Sequence, residues 1–192
     1  MPSNSSTRET ETEKPLRADA RRNRARVLDV AHEMFLAEGM AVPIDAIAER
    51  AGVGVGTVYR HFPTKEALFQ AIMTQRIQDM IDEANSLADA ADPGAAFFAY
   101  FEHIVERAEA SKGVHEALVK AGFQLDEQVG DLATEMRESL AVLLRRAQQA
   151  GAVRANLTAT DVKALMAGVT EMRRMGGDHD VTLAVVLAGL RP

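Results

Sequence analysis

The chain has 192 residues, with 22 Lys+Arg against 28 Asp+Glu, five His, and neither Cys nor Trp. That length suits one or two small domains, each with a core of its own. The lack of Cys excludes a disulfide scaffold, a cysteine-ligated zinc site and a cysteine nucleophile, and the net charge of −6 argues against a surface that coats nucleic acid indiscriminately.

Thirty-three alanines and only 5% aromatic residues favour an all-α fold, because Ala is the best helix former and strands lean on aromatic and β-branched residues. The longest strongly apolar stretch, Val181 to Leu190, has ten residues. A membrane-spanning helix needs about 20. The first residues carry no apolar run of the signal-peptide kind. The expectation is a cytoplasmic protein with no membrane partner.

The charge is uneven. Residues 1–65 hold ten basic and nine acidic side chains, while residues 66–192 hold 12 and 19. Lys14 to Arg26 contains six basic residues and a single acid, Asp19. Taken alone, such a run is either a solvated helix start or an arm that touches phosphates.

Met1 to Glu13 is rich in Ser, Thr and Glu without periodicity, so residues 1–19 read as a disordered arm. From Ala20 a helical stripe (Val27, Leu28, Val30, Ala31, Met34, Phe35) runs to Gly39, a natural C-cap. Pro43 suits a first helical turn, and Ile44, Ile47, Ala48 and Ala51 line one face of a short helix that Gly52 ends. A second short helix spans Val55 to His61 and closes at Phe62-Pro63. Thr64 caps a long helix that keeps a 3–4 apolar spacing to about Ala90.

Asp92-Pro93 opens a further helix, Ser111 precedes a short one, and a long one ends near Gly151. Thr158 with Asp161 three residues on forms a capping box with Asp in place of the usual Glu or Gln. Gly176-Gly177 breaks the helix that follows. Val181 to Leu190 has the composition of a strand, and in so helical a chain it is expected to be a helix. The sum is about nine helices.

Two short helices around a Gly-containing turn, with a third before them, describe a helix-turn-helix. Ile47-Ala48-Glu49-Arg50-Ala51-Gly52-Val53, then Gly56-Thr57-Val58-Tyr59-Arg60-His61-Phe62 and Lys65-Glu66-Ala67-Leu68, resembles the TetR family of bacterial transcription regulators. Val27-Leu28, Ala31, Phe35 and Glu38-Gly39 fall in register with the same pattern. The resemblance covers about residues 22–68. It implies a three-helix DNA-binding domain over 20–66 and a larger helical domain over 67–192 for effector binding and dimerisation. It further implies a dimer on a palindromic double-stranded operator, acting as a repressor that a small molecule releases. No enzymatic activity, cofactor or metal is expected.

The motif also has its own physics. Val53, Val58 and Phe62 have the spacing to pack against Ile47, Leu28 and Phe35. That leaves Val55, Gly56, Thr57, Tyr59, Arg60 and His61 on the outer side of a helix that fits a B-DNA major groove. Arg24 on the basic run, Pro43 and Ile44 at the first helix start, Gly54 before the second, and Lys65 at the next helix start complete the candidate contact set. Three residues depart from the family pattern. Pro43 stands where the family usually has a capping Thr, Gly54 where Ser is frequent, and Val55 where a polar side chain is frequent.

In the resembling family the last two long helices form a four-helix dimer interface. Here Ala164, Ala167 and Gly168 offer close approach, and Val185, Val186 and Leu190 offer apolar area. Phe97, Tyr100, Phe101, His103, Ile104, Phe123, Met136, Leu140 and Met166 are the candidate effector-pocket lining, with Arg137 as a further anchor for an anion. Two other readings stand beside the regulator. One is a helical ligand-binding or scaffold protein whose DNA binding has degenerated at Pro43 and Val55. The other is a metal-dependent enzyme built on His103 and Glu106, three apart on one helix, though no third ligand is evident.

Val55 offers only apolar contact, so it meets a thymine methyl or reads no base. Val55→Ala is expected to relax preference for the T-containing half-site in a competition binding assay; unchanged preference would exclude the methyl contact.

Overall fold

The computed structural model of the chain describes residues 9–120 and 127–192. It consists of eight α-helices: α1 (Glu9–Glu38), α2 (Ile44–Arg50), α3 (Val55–His61), α4 (Lys65–Leu87), α5 (Pro93–Lys120), α6 (Glu127–Gln149), α7 (Ala159–Arg174) and α8 (His179–Leu190), with a 3-10 turn at Gly39–Ala41. No strand occurs among the described residues.

Two sequence expectations are corrected. The helix expected from Ala20 begins at Glu9, so the second half of the expected disordered arm is helical. Glu, Lys, Leu, Arg and Ala are strong helix formers, and acids in a first turn meet the positive end of the helix dipole. The short helix expected from Ser111 does not stand alone, because α5 runs unbroken to Lys120. Ser111 and Gly113 each cost a helix interior only about 0.5–1 kcal/mol, too little to break it among good formers. Eight helices therefore replace nine. The residue Phe123, expected in the pocket lining, lies outside the described residues.

The chain divides into two compact units, residues 1–72 and 73–192. In the first, Val27, Leu28, Ala31 and Phe35 of α1, Ile47 and Ala48 of α2, Val58 of α3, Phe62, and Leu68, Phe69 and Ile72 of α4 are buried into one core. Each large apolar side chain so buried contributes about 1.5–3 kcal/mol. The turns are made by glycines in the left-handed region, Gly39 at φ 75° and Gly52 at φ 64°, which a side chain would strain. Across the second turn the Val53 N–H donates to the Ala48 carbonyl at 3.0 Å. Thr64 caps α4 by accepting from the Ala67 N–H at 3.1 Å.

The second unit is built around α5, which packs on α6 and α7, with α8 against α7. Its core holds Phe97, Tyr100, Phe101 and Val105 of α5, Leu140, Leu143, Leu144 and Ala147 of α6, Val162, Met166 and Val169 of α7, and Leu190 of α8. Asp92 caps α5 through the Ala95 N–H at 2.9 Å. The capping box expected at α7 is present. The Asp161 N–H donates to the Thr158 hydroxyl, and the Thr158 N–H donates to the Asp161 carboxylate. These bonds hold the Asp161 carboxyl below the usual carboxylate range. Beyond α8 the Arg191 guanidinium lies 4.2 Å from the Phe98 ring centroid, and Arg154 donates to the Arg191 carbonyl.

Tyr100 joins α5 to α4, its hydroxyl donating to the Met80 carbonyl at 3.3 Å. Burial pushes its phenol up to about 12, the Glu83 charge adds to this, and Arg107 opposes it. The neutral phenol is thus favoured in the folded state. Its contribution to stability is complete below the unfolded phenol value of about 10 and is lost as the pH rises toward the folded one.

Two outcomes follow from this packing. A Cβ on Gly94 would lie 2.6 Å from the Ala152 Cβ, so Gly94→Ala should destabilise the protein by about 1–3 kcal/mol in denaturant unfolding. Tyr100→Phe should flatten the alkaline fall in stability between about pH 10 and 12, measured the same way against the parent; identical slopes would show that Tyr100 does not titrate late.

Candidate functional site

The first unit presents one face of α3 to solvent. Val58 is fully buried and Phe62, just beyond the helix, is 2% exposed. These two hold the helix down on α1 and α2. Consequently Val55, Gly56, Tyr59, Arg60 and His61 are exposed and Thr57 is half-buried. Val55 is 37% exposed and Tyr59 48%, high for side chains of their apolar content, and together with Arg60 and His61 they form a mixed apolar and cationic face. Gly54 caps α3 without a side-chain acceptor, and no Cβ-sized obstacle lies within 4 Å of Gly56. Gly56 is therefore not required by helix packing within the unit.

The neighbouring candidates divide. Pro43 is the N-cap of α2, extended at φ −70° and exposed, with no side-chain cap bond. Ile44 is buried, so its side chain belongs to the core and not to the exposed face; the sequence expectation for it is corrected. Its position on the inner stripe with Ile47 and Ala48 was the available signal. Arg24 is exposed, with its guanidinium 5.4 Å from the Phe62 ring centroid. This contact ties the basic end of α1 to the residue that anchors α3. Arg21, Arg22 and Arg26 are exposed on the same helix, and Arg22 pairs with Asp19.

Lys65 is half-buried at the start of α4. Its ammonium donates to the Val42 carbonyl and lies 5.7 Å from the Phe35 ring centroid. Desolvation holds its pKa below the usual lysine value, partly offset by the Glu66 charge. The sequence expectation put Lys65 in the DNA contact set; in the structure its ammonium lies at the α1–α2 join, where it pins α4. A phosphate there would compete with the Val42 carbonyl.

The second unit holds a cavity of about 220 Å³ that opens to solvent. Tyr100, Ile104, Met136, Leu140 and Met166, five of the candidate pocket residues, line it together with Met80, Ala108, Lys163 and Ala167. The wall is apolar almost throughout. Phe97 and Phe101 are fully buried in the core beside it and do not reach it. Arg137 is exposed and is not on the wall; the charged residue that is, Lys163, was missed because it sits on the helix reserved for dimer contacts.

His103 is corrected more fully. It points away from the cavity and is half-exposed, with Nδ1 2.6 Å from Glu83 Oε1. The second Glu83 oxygen accepts from Arg107 at 3.1 Å. The partner of His103 is thus on α4, and no group of three metal-ligating side chains forms among the described residues.

On the last two helices Ala164, Ala167 and Val185 are exposed, and Gly168 and Val186 are half-buried. Leu190 is 1% exposed and belongs to the core of its own chain, which corrects its expected place in an interface. The apolar face instead includes Met172, Met175 and Val181, at 43%, 77% and 61% exposed.

Comparison with known proteins places both units. Residues 27–72 match the family described as bacterial regulatory proteins, tetR family. Residues 92–192 match the family described as transcriptional regulator SbtR-like, C-terminal domain. The TetR transcription regulatory protein from Mycobacterium vanbaalenii is 44% identical, with 93% of this chain and 100% of that one covered and a TM-score of 0.78. The TetR transcriptional regulator SCO0520 from Streptomyces coelicolor is 31% identical over 88% of this chain and 98% of that one, with a TM-score of 0.73. An HTH-type transcriptional regulator of Staphylococcus aureus (strain USA300) is 33% identical over 75 residues, a match that spans 40% of that relative and 38% of this chain. With half of the chain matched by one family model and 93% of it aligned with a solved relative that is 44% identical, the chain belongs to the TetR family of bacterial transcription regulators.

Proposed function

We propose that this protein is a cytoplasmic, non-enzymatic, ligand-responsive repressor that binds a palindromic DNA operator as a homodimer. The observation that carries this reading is the exposed face of α3: Val55, Thr57, Tyr59, Arg60 and His61 are available while Val58 and Phe62 hold the helix. A helix so mounted enters a major groove, where Thr57 and Tyr59 offer hydroxyls to phosphates and Arg60 and His61 offer donors to phosphates or base edges. Arg24, steadied on Phe62, and the exposed Arg21 and Arg22 add phosphate contacts. Gly54, Gly56 and Pro43 let backbone come close to the duplex, and Lys65 serves by holding α4 in place.

One recognition helix reads only a few base pairs, so genome-scale selection needs two half-sites and a symmetric dimer. The exposed apolar side chains of α7 and α8, with Ala164, Ala167 and Gly168 among them, support a self-complementary interface. The cavity of the second unit supports an effector site. A molecule that prefers the DNA-free arrangement would lower operator affinity by its differential affinity for the two states.

A salt-dependent binding titration on the DNA upstream of its own gene tests this reading. A steep fall in affinity with salt and strong preference for one palindrome are expected. Replacing Arg21, Arg22 and Arg24 by Ala should weaken binding about equally on all sequences and flatten the salt slope by roughly one unit per lost phosphate contact. Val185→Glu should give monomers in sedimentation and lose the preference for paired half-sites. Equal affinity for random DNA would instead favour a ligand-binding protein with degenerate DNA contacts.

A further inference from the structure

Lys163 is the one charged residue on the cavity wall among the described residues. It is exposed, and the wall itself is apolar almost throughout. Its methylene stem therefore lines the opening while its ammonium stays at the solvent side. Among the described residues no carboxylate and no carbonyl engages that ammonium. The Tyr100 hydroxyl, the other polar group nearby, has its hydrogen committed to the Met80 carbonyl.

We infer that the cavity takes a compact apolar monocarboxylic acid, with its hydrocarbon body against Ile104, Leu140 and Met166 and its carboxylate at Lys163. The inference rests on reading the cavity as an effector site. Size bounds the body. An apolar cavity of about 150 Å³ holds benzene, so one of about 220 Å³ has room for roughly nine non-hydrogen atoms. Charge placement selects the acid. A carboxylate sunk among these walls would lose its water with no partner in return. At Lys163 it keeps part of its hydration and gains an opposite charge. An amide of the same shape brings no charge to the exposed ammonium, whose neutral hydrogen bonds water supplies equally well, and an amine is repelled at the mouth.

Calorimetric titration of the full chain at low salt tests this with hexanoate, benzoate, hexanamide, benzamide and benzylamine. The acids should bind about fivefold more tightly than their amides, with benzylamine weakest, and the preference should shrink as salt rises. Lys163→Met keeps the stem and should abolish the preference for acid while leaving amide affinity unchanged. Leu140→Trp fills the cavity and should weaken acid and amide alike, with thermal unfolding confirming that both variants fold. Equal affinity for acid and amide, an acid preference that survives Lys163→Met, or no binding of any probe at roughly ten millimolar would each overturn the assignment. Acids that bind as expected and leave operator affinity unchanged would overturn the effector reading alone.

Discussion

The burial of Val58 and Phe62 against α1 and α2 is the constraint from which the rest of the N-terminal unit follows. α3 has only two turns, too few to be stable in water by itself. It exists because those two side chains are buried where α3 packs on α1 and α2. The same contact decides orientation. With Val58 inward, the residues one and two positions away on the helix point outward, so burial of one face is also the presentation of the other. Phe62 has a second consequence, because the Arg24 guanidinium rests near its ring and the basic end of α1 is thereby linked to the residue that anchors α3.

Charge follows the same division. The N-terminal 65 residues are nearly neutral overall, yet six of their ten basic residues lie on α1, while the remaining residues carry the negative excess. An acidic body disfavours indiscriminate contact with DNA, and the local basic face is where the proposed contact falls. Lys65 shows that not every cation on this unit has to meet a phosphate. Its ammonium is drawn to the Val42 carbonyl, where it fixes the start of α4.

The second unit uses apolar packing for two ends. Phe97 and Phe101 form a closed core, whereas Tyr100 and Ile104, on the adjacent stripe of the same helix, border an open cavity. The difference between core and cavity is one of a fraction of a helical turn. Pattern alone does not separate them, since a stripe of aromatic and aliphatic residues reads the same in both cases. The cavity's charge, Lys163, comes from α7, more than fifty residues further along the chain.

Much of the architecture was legible in the residues. Gly39 and Gly52 marked turns that need positive φ, Thr158 and Asp161 marked a capped start, and the 3–4 spacing marked the buried faces. These are local rules, set by sterics and hydrogen bonding within a few residues. Local rules also misled, as at Ser111, where a weak breaker signal was outvoted by the helix on both sides.

By itself, then, the sequence determined the all-helical fold, the helix-turn-helix and the outward face of α3, because each depends on periodicity and short-range chemistry. Tertiary structure alone decided that Ile44 and Leu190 turn inward, that His103 pairs with Glu83, that Lys65 pins α4 and that Lys163 edges the cavity. Each of those depends on which distant segment a side chain meets. That is fixed by the packing of whole helices and leaves no trace in the spacing of neighbouring residues.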